Sequence, residues 1–408
     1  MPMEGRIERI EDGSAYGWMS QDEGHVGVKK SAVFISASGV IATYPIEEIE
    51  TLRSDLAELS FAREIKINLI SDEPMAAVKS SRAIIAIQFE DESFPLLVNR
   101  RVLSSGSFVK SSTPVGLSIG RVSNDGVACV GASGKLFLKS GSNGLENMYL
   151  DESLVSVDKW TSLVAARKSK IDGAGKSFIQ MFLPEKTSVL HWLSPYKASR
   201  GSPGYRSLMR HLRSIEELSP VSFDALSIFP DEAGSEGLYR SFDTHISTQA
   251  CRLITEAFIS KFYPEASNLY HPSEVSHVET SGDLGERFAD DGVVAERVPV
   301  YKFLKNSSGK HLEAELLQSF NPESGNTGTM RHWQCKNYLI DRKVICFGGS
   351  SFERGDTSTR LSWWFSRIFR EFRFVWSPEL IEEEIESFEP DVVICQTVER
   401  FLVQVPKS

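Results

Sequence analysis

The sequence predicts an α/β protein with a parallel sheet, preceded by a smaller β-rich region. Residues 1 to about 100 hold short β-branched runs broken by Gly, Ser and Asp, such as SRAIIAIQFEDESFPLLVN. From about residue 135, strand-like runs alternate with amphipathic runs, which indicates a parallel sheet with crossover helices. Residues 101–134 are rich in Ser, Gly and Val without a helical period, and they predict a linker or domain boundary.

The first elements of the second region are a helix in DESLVSVDKWTSLVAARKSK and a strand in SFIQMFLP. The run ISTQACRLITEAFISKFY predicts a second helix, because its apolar residues recur at helical spacing. That face consists of Ile246, Ala250, Leu253, Ile254, Ala257 and Phe258.

The last elements alternate in the same way. The buried strand KVICF is followed by a predicted helix whose apolar face is Leu361, Trp364, Phe365, Ile368 and Phe372. FRFVW and PDVVICQ read as strands. Between them, SPELIEEEIESF predicts a helix with Ser377 as N-cap and Pro378 at its first position.

Composition narrows the function classes. The chain has 408 residues and a net charge of −10, which gives no broad basic excess for nucleic acid. The N-terminus lacks the apolar core of a signal peptide, and no apolar run is long enough to span a membrane. These observations predict a cytoplasmic protein without a transmembrane helix.

Cysteine usage points the same way. The five cysteines are scattered, odd in number and form no CxxC, which predicts a reduced compartment and no zinc site. Cys251, Cys346 and Cys395 lie in apolar runs and are expected in the core.

The turn after KVICF is the first candidate for chemistry. Ligands of parallel sheets bind beyond the carboxyl ends of strands, and Gly349-Ser350-Ser351-Phe352 lies at such an end. A serine at a sharp strand-to-helix turn would be an exposed nucleophile beside helix N-terminal amides. An ordinary polar turn that caps a helix remains the alternative.

Asp243 and His245 form the second candidate. A carboxylate two residues before a histidine can fix the imidazole tautomer, as a general base requires. The alternative is a capping Asp beside an exposed His. If the pair forms, the carboxylate is expected to raise the pKa of His245 above its usual value of about 6.5.

GAGKS resembles the tail of a phosphate loop, but the pattern fails twice. Lys170 stands where the pattern requires glycine, and the segment leads into a strand instead of a helix. Nucleotide binding is therefore not expected.

Taken together and in order, these segments resemble the SGNH-hydrolase-like polysaccharide O-acetyltransferases of the alginate acetylation type (AlgJ and AlgX). The resemblance covers residues 129–408 and implies an SGNH-like three-layer domain, with residues 1–128 as a β-rich module and linker. The segments that carry it are GKLFLKSGSNGLENMYL, MFLPEKTSVL, YRSFDTH, SGDLGERF, VICFGGSSF and FVWSPELIEEEIESFEPDVVICQTVERFL.

The resemblance implies a catalytic triad. Ser351 would be the nucleophile, His245 the base and Asp243 its orienting carboxylate. Ser351 is preferred to Ser350 because an aromatic residue, Phe352, follows it as in the family.

An oxyanion and substrate site is implied beside that triad. The Ser351 amide, Gly349 and Asn143 would stabilise the oxyanion, and Arg400 would bind substrate. The implied activity is acetyl transfer through an acetyl-serine to a glycan hydroxyl. It needs no metal or other cofactor, and its partners are a glycan acceptor and an acetyl donor, with a partner acyltransferase as one source.

Two departures keep alternatives open. Ser350 stands where many members have Asp, and Ile246 and Ser247 stand where Trp and Asn are usual. An acetyl esterase with the same triad and a non-catalytic glycan-binding scaffold therefore remain. The family works outside the cytoplasm, which conflicts with the expected localisation.

The N-terminal region bears a slighter resemblance to a β-rich module that accompanies sugar-modifying proteins. It rests on Gly17-Trp18 and the later run LRSDLAEL. A β-sandwich spacer is the alternative.

Overall fold

The computed structural model describes residues 4–11, 14–20, 29–36, 39–49, 63–69, 83–89, 92–98, 119–140, 145–196, 198–291, 296–355 and 357–407. Its first seven strands close into a barrel in the order β1-β2-β5-β4-β3-β6-β7, in which the β1–β7 contact is parallel. The β-rich prediction is confirmed. The strands are β1 Glu4–Glu11, β2 Ser14–Ser20, β3 Ser31–Ser36, β4 Gly39–Ile49, β5 Arg63–Asn68, β6 Ala83–Phe89 and β7 Glu92–Val98.

The barrel has an apolar core of its own. Alternate residues of its strands point inward, among them Ile7, Phe34, Ile65 and Ile85. Gly17-Trp18 lies in β2, whereas LRSDLAEL falls outside the described residues.

A second apolar core starts at Ala128 and belongs to an α/β region, as predicted. The division at residues 128 and 129 stays a prediction. The strands of this region are β8 Ala128–Val130, β9 Leu136–Leu138, β10 Ser177–Leu183, β11 Ser222–Asp224, β12 Tyr270–Thr280, β13 Glu296–Asn306, β14 Ala314–Phe320, β15 Met330–Cys335, β16 Ile340–Gly348, β17 Phe369–Trp376 and β18 Val392–Val398.

Five helices of seven or more residues accompany these strands in the described part of the chain. They are α1 Val157–Gly173, α2 Pro203–Ser214, α3 Thr248–Phe262, α4 Leu361–Ile368 and α5 Glu382–Phe388. Shorter α-helical segments lie at Leu145–Met148, Lys186–Val189, Glu232–Ser235 and Gly282–Gly285. Shorter 3₁₀ segments lie at Ala132–Gly134, Glu152–Leu154, His191–Leu193, Ala225–Ile228, Glu236–Leu238, Pro264–Ala266, Glu286–Asp291 and Glu399–Phe401.

The central sheet has the strand order β11-β10-β18-β16-β17-β15-β14. The first five strands are parallel, and β15 and β14 add an antiparallel edge. The carboxyl ends of β10, β18 and β16 therefore lie side by side. The segments with PEK, ERF and GGSS leave the sheet at those neighbouring ends.

Helices α1 and α5 cover one face of this sheet. Trp160 of α1 packs on Phe182, with ring centroids 6.0 Å apart. Arg373 of β17 forms an ion pair of 2.9 Å with Glu384 of α5. Cross-strand register places Phe182 and Arg373 on the same face.

Helices α3 and α4 cover the other face. Phe372 precedes Arg373 in β17 and therefore points the opposite way, toward Phe365 of α4 at 5.9 Å. Phe258 of α3 packs on Phe365 at 5.0 Å. The region is thus a three-layer α/β/α structure, and the helix that follows His245 packs against the helix that follows Ser351.

Two predicted helix boundaries are wrong. Phe372 lies in β17, because the α4 helix ends at Ile368 and the chain turns directly into a buried strand. Ser377 is not a helix N-cap, since its hydroxyl accepts a hydrogen bond from the Glu379 amide in a local turn. Pro378 lies in the same turn, and α5 begins only at Glu382.

Strands β8, β9 and β11 to β15 were not predicted from the sequence. Strands β12 and β13 pair as a long antiparallel hairpin, and β14 is the largely exposed edge of the central sheet. Because so much of their surface is exposed, they lack the buried apolar runs that mark the other strands.

The five cysteines are free and buried, and Cys251, Cys346 and Cys395 lie in the second core as predicted. The GAGKS segment joins the end of α1 to β10, which is the reverse of the strand-to-helix order of a phosphate loop. Among the described helices, none has the length and apolar character needed to cross a membrane.

Candidate active site

Ser351 lies in the turn that follows β16. The amides of Phe352 and Glu353 both donate to the Gly349 carbonyl, at 2.9 and 3.2 Å, and close the chain around the serine. The Ser351 side chain is only 5% exposed, and α4 starts only at Leu361. The expectation of an exposed serine leading straight into a helix is therefore wrong, because the loop 352–360 separates the two.

Gly348 at the strand end lies close to the Gln396 side chain. A Cβ on Gly348 would lie 2.7 Å from Oε1 of the buried Gln396, so no larger residue fits without displacing that side chain. The same oxygen accepts a hydrogen bond of 3.0 Å from the Gly349 amide. The amides of Ser350 and Ser351 donate to none of the described residues. They remain available as oxyanion donors, whereas the Gly349 amide is engaged; its predicted role is untested.

Asp243 and His245 form a buried hydrogen-bonded pair. The distance from His245 Nδ1 to Asp243 Oδ1 is 2.5 Å, and the same oxygen accepts from the His245 amide at 2.8 Å. An ionised carboxylate only accepts, so Nδ1 carries the proton and the lone pair of the neutral ring lies on Nε2. Nε2 is buried and has no hydrogen-bond partner within the described ranges. The pair predicted from the sequence therefore forms, and its basic atom is free.

Two neighbours hold Asp243 in place. Arg240 Nη1 lies 2.6 Å from Asp243 Oδ2, and Arg240 Nε lies 3.1 Å from Glu296 at the start of β13. Glu296 also accepts from the Ser241 amide at 2.6 Å. The loop that carries the pair is thus anchored to the β12–β13 hairpin, which the sequence did not predict.

The SGDLGERF segment packs against the loop that carries Asp243 and His245. Gly282 has φ +71°, and a Cβ there would lie 2.3 Å from the Phe242 carbonyl. That carbonyl accepts from the amides of Leu284 and Gly285. Asp283 accepts from the amide and hydroxyl of Thr244, at 2.7 and 2.6 Å. Only glycine permits this close contact between the two segments.

Lys186 of the PEK segment holds the loop from the sheet side. Its buried Nζ donates to the carbonyls of Leu136, Arg240 and Ser241 at 2.6, 2.6 and 2.8 Å, and lies 3.3 Å from that of Asp243. Three short bonds match the three N–H groups of an ammonium. Burial lowers the pKa of Lys186 to about 7. Sequence analysis missed this residue, because its contacts join three separate segments.

Burial and charge set the protonation of the pair. Burial alone would raise the pKa of Asp243. The hydrogen bond and charge of His245, together with Arg240 and Arg360, instead hold it well below its usual value. Burial, helped by the charge of Arg360, lowers the pKa of His245 despite the opposing effect of Asp243. Asp243 acts in the expected direction, but the expectation that the pKa of His245 lies above its usual value is wrong, because burial outweighs the carboxylate.

Asp243, His245 and Asp283 also form a possible metal-ligand group, with ligand atoms within 4.8 Å of one another. Their donor atoms already have partners. Asp243 is bound to His245 and Arg240, and both oxygens of Asp283 accept from Thr244. The arrangement therefore fits the orientation of an imidazole better than the binding of an ion.

The other predicted residues lie as follows. Arg400 Nε is 2.6 Å from Glu185 in a buried ion pair, and its substrate-binding role stays a prediction. Asn143 lies outside the described residues. Ile246 is buried in the core, and Ser247 caps α3 by accepting from the Ala250 amide. Ile246 and Ser247 thus have structural roles in this fold.

The structure brings Asp243 and His245 together, but Ser351 Oγ makes no hydrogen bond to Nε2. The helices that follow the two segments nonetheless pack on each other, with the rings of Phe258 and Phe365 5.0 Å apart. Contact between serine and histidine stays a prediction.

Comparison with known proteins adds structural likeness only. The sequence matches no protein-family model and no curated protein. The structure of PatB1 from Bacillus cereus is similar over 67% of this chain and 97% of that chain, with 8% identity and a TM-score of 0.44. The structure of PatB1 with a sulfonyl adduct has the same TM-score and identity, over 67% of this chain and 98% of that chain.

The O-acetyltransferase domain of Pseudomonas putida AlgJ is similar over 69% of this chain and 93% of that domain. The identity is 12% and the TM-score 0.42. At these identities the likeness concerns the fold, and no residue role is taken from it.

Proposed function

We propose that this protein is an O-acetyltransferase that moves an acetyl group through an acetyl ester of Ser351 to a hydroxyl of a polysaccharide or other glycan. The observation that supports it most is the buried Asp243–His245 pair. Its hydrogen bond fixes Nδ1 and leaves Nε2 without a partner in the described part of the chain. The ordered motifs shared with the alginate-type O-acetyltransferases support the acceptor class.

In the first half-reaction His245 is the general base. Nε2 takes the proton of the Ser351 hydroxyl as Oγ attacks the carbonyl carbon of an acetyl ester. The tetrahedral intermediate then expels the donor's alcohol, which receives the proton from Nε2. Asp243 keeps the ring oriented and stabilises the imidazolium that forms in between.

In the second half-reaction a glycan hydroxyl replaces the departed alcohol. Nε2 removes its proton, the hydroxyl oxygen attacks the acetyl-serine, and Ser351 recovers the proton when it leaves. The chain needs an acetyl donor and a glycan acceptor but no cofactor for these steps. If water replaces the glycan, the same groups perform ester hydrolysis.

The lowered pKa of His245 suits this role, because the imidazole is then neutral at neutral pH. The short hydrogen bond to Asp243 compensates for part of the burial that lowers it. A base that is neutral but hydrogen-bonded on Nδ1 can accept a proton on Nε2 without a change of tautomer.

Two neighbouring serines offer a matched test. We expect Ser351→Ala to reduce acetate release from a chromogenic acetyl ester by about a thousandfold or more, whereas Ser350→Ala retains most of it. Ser350 is the control because it lies in the same turn and is adjacent in sequence. The reverse ranking would move the nucleophile to Ser350, and full activity in both variants would exclude serine catalysis.

A second measurement separates transfer from its alternatives. With an ester donor present, an acceptor glycan should lower the yield of free acetate and gain acetyl groups detectable by mass spectrometry. Acetate release that no glycan changes would favour an esterase. Glycan binding without any turnover would favour a scaffold.

A further inference from the structure

Arg360 differs from the other buried arginines of the described residues. It ends the loop that follows Ser351, and its side chain is only 6% exposed. Nε and Nη1 are buried without a hydrogen-bond partner, and no carboxylate of the described residues lies within ion-pair distance of it. Each of the other buried arginines in the described residues contacts a carboxylate or carbonyl oxygen. Arg167 donates to the Pro378 carbonyl, Arg240 pairs with Asp243 and Glu296, and Arg373 pairs with Glu384.

The charge of Arg360 is directed at the candidate site. It lowers the pKa values of both Asp243 and His245, and Asp243 is the main group that opposes the effect of burial on Arg360 itself. Asp243 forms no ion pair with Arg360, and its two oxygens are bound to His245 and Arg240. Arg360 is thus a buried cation whose charge acts on the Asp243–His245 pair.

A buried cation without a partner destabilises a folded protein, so its presence calls for a reason. Active sites are where such strain is kept, because a group that lacks a partner in the free protein can acquire one from the ligand. Guanidinium donors match planar carboxylates and tetrahedral oxyanions. The missing partner is therefore a negatively charged oxygen.

We infer that Arg360 is the oxyanion-binding residue of the candidate site, with its guanidinium donating to the acetyl carbonyl oxygen. This inference rests on the proposed function. When Ser351 Oγ attacks the carbonyl carbon, the π electron pair moves onto that oxygen, and the Arg360 N–H groups stabilise its charge. The pair returns to re-form C=O as the leaving oxygen departs with the proton held by His245.

A structural role and an oxyanion-binding role for Arg360 predict different effects of its removal on stability. If it served only as a distant counter-charge for Asp243, its removal would destabilise the fold and leave the chemistry of the folded molecules intact. If it is kept for an oxyanion, its removal relieves an unpaired charge and impairs only the reaction. Thermal unfolding and turnover together distinguish the two roles.

The variants are Arg360→Met, which keeps the length but not the charge, and Arg360→Lys, which keeps the charge. Arg354→Met is the control, because Arg354 is an exposed arginine of the same loop. For Arg360→Met we expect kcat on an acetyl ester to fall about 10²–10³-fold with little change in KM. Its Tm should equal or exceed that of the parent, and Arg354→Met should match the parent in both.

Arg360→Lys should recover part of the lost kcat. A drop of several degrees in the Tm of Arg360→Met, with turnover per folded molecule unchanged, would overturn the inference. If Arg360→Met loses both stability and turnover, the kcat of Arg360→Lys distinguishes the two roles. Partial recovery of kcat supports an oxyanion role, and no recovery contradicts it.

Inorganic phosphate gives a readout that needs no turnover, because its tetrahedral oxyanion resembles the intermediate. At constant ionic strength, phosphate should raise the Tm of the parent and of Arg354→Met but not of Arg360→Met. Equal shifts in all three, or none in the parent, would overturn the anion site. If the shift depends on Arg360 while the parent turns over no ester, the anion site stands and acetyl transfer is wrong.

Discussion

Substituting Lys186 by Met tests whether the loop that carries Asp243 is held by one ammonium. The variant leaves three carbonyls, those of Leu136, Arg240 and Ser241, without their short hydrogen bonds. An orphaned buried polar group costs about 1–3 kcal/mol. Because several carbonyls lose the same donor at once, we expect a loss of about 3 kcal/mol or more in the free energy of unfolding. Urea denaturation at about pH 6, where Lys186 is protonated in the folded chain, measures it.

Lys176→Met is the matched control. Lys176 donates one bond of 3.1 Å, to the Pro390 carbonyl, from a half-buried position. It should cost less than about 1 kcal/mol, because water can replace that donor. If Lys186→Met and Lys176→Met lose the same stability, the carbonyl cluster does not hold the loop as argued.

The pH dependence of the same variant has a definite sign. Burial lowers the pKa of Lys186 from 10.5 to about 7, so between these values the unfolded chain binds a proton that the folded chain has released. Stability of the parent therefore rises with pH in this window, by up to about 1.4 kcal/mol per pH unit from this group. Lys186→Met lacks that rise. Its deficit should be smallest below about pH 7 and grow toward pH 10, and parallel stability curves would contradict the argument.

Two further predictions concern the loop that carries Asp243 and His245. Gly282→Ala should destabilise the fold by about 1–3 kcal/mol and lower ester turnover, because its Cβ would clash with the Phe242 carbonyl at 2.3 Å. Gly309→Ala, also at positive φ but in open space, should lower stability alone, which thermal unfolding and turnover together would show. The acid limb of the pH profile of kcat/KM should lie below about pH 6.5, since the pKa of His245 is lowered. Asp243→Asn should lower the rate and move that limb lower still, and a limb above about pH 7 in the parent would contradict the role of burial.

The parts of the fold that could be predicted are those with buried, continuous patterns. β10, β16 and β18 are short apolar runs, and α3 has a clear apolar face. β12 to β15 could not be predicted, because hairpin and edge strands expose much of their surface. Ser377 was misassigned because a hydroxyl can close a local turn as readily as it caps a helix.

The candidate site likewise has residues that could be predicted from the sequence and residues that could not. Asp243 and His245 are two residues apart, so their contact is local and legible in the sequence. Lys186 and Arg360 act on this pair from segments that are distant in sequence, and no motif or residue spacing identifies either of them. The direction of the His245 pKa shift also depends on burial, which a neighbouring carboxylate in the sequence cannot reveal.

The strand order has a consequence for biosynthesis. β18 is the last strand in chain order, yet it lies between β10 and β16 in the middle of the sheet. While the ribosome still holds residues 392–398, the two strands on either side lack their shared neighbour and expose unpaired backbone edges. The Asp243 loop depends on Lys186, which follows β10, so the candidate active site forms only after β18 has paired with β10 and β16. Nascent or truncated chains lacking β18 should therefore associate with chaperones and remain sensitive to proteases.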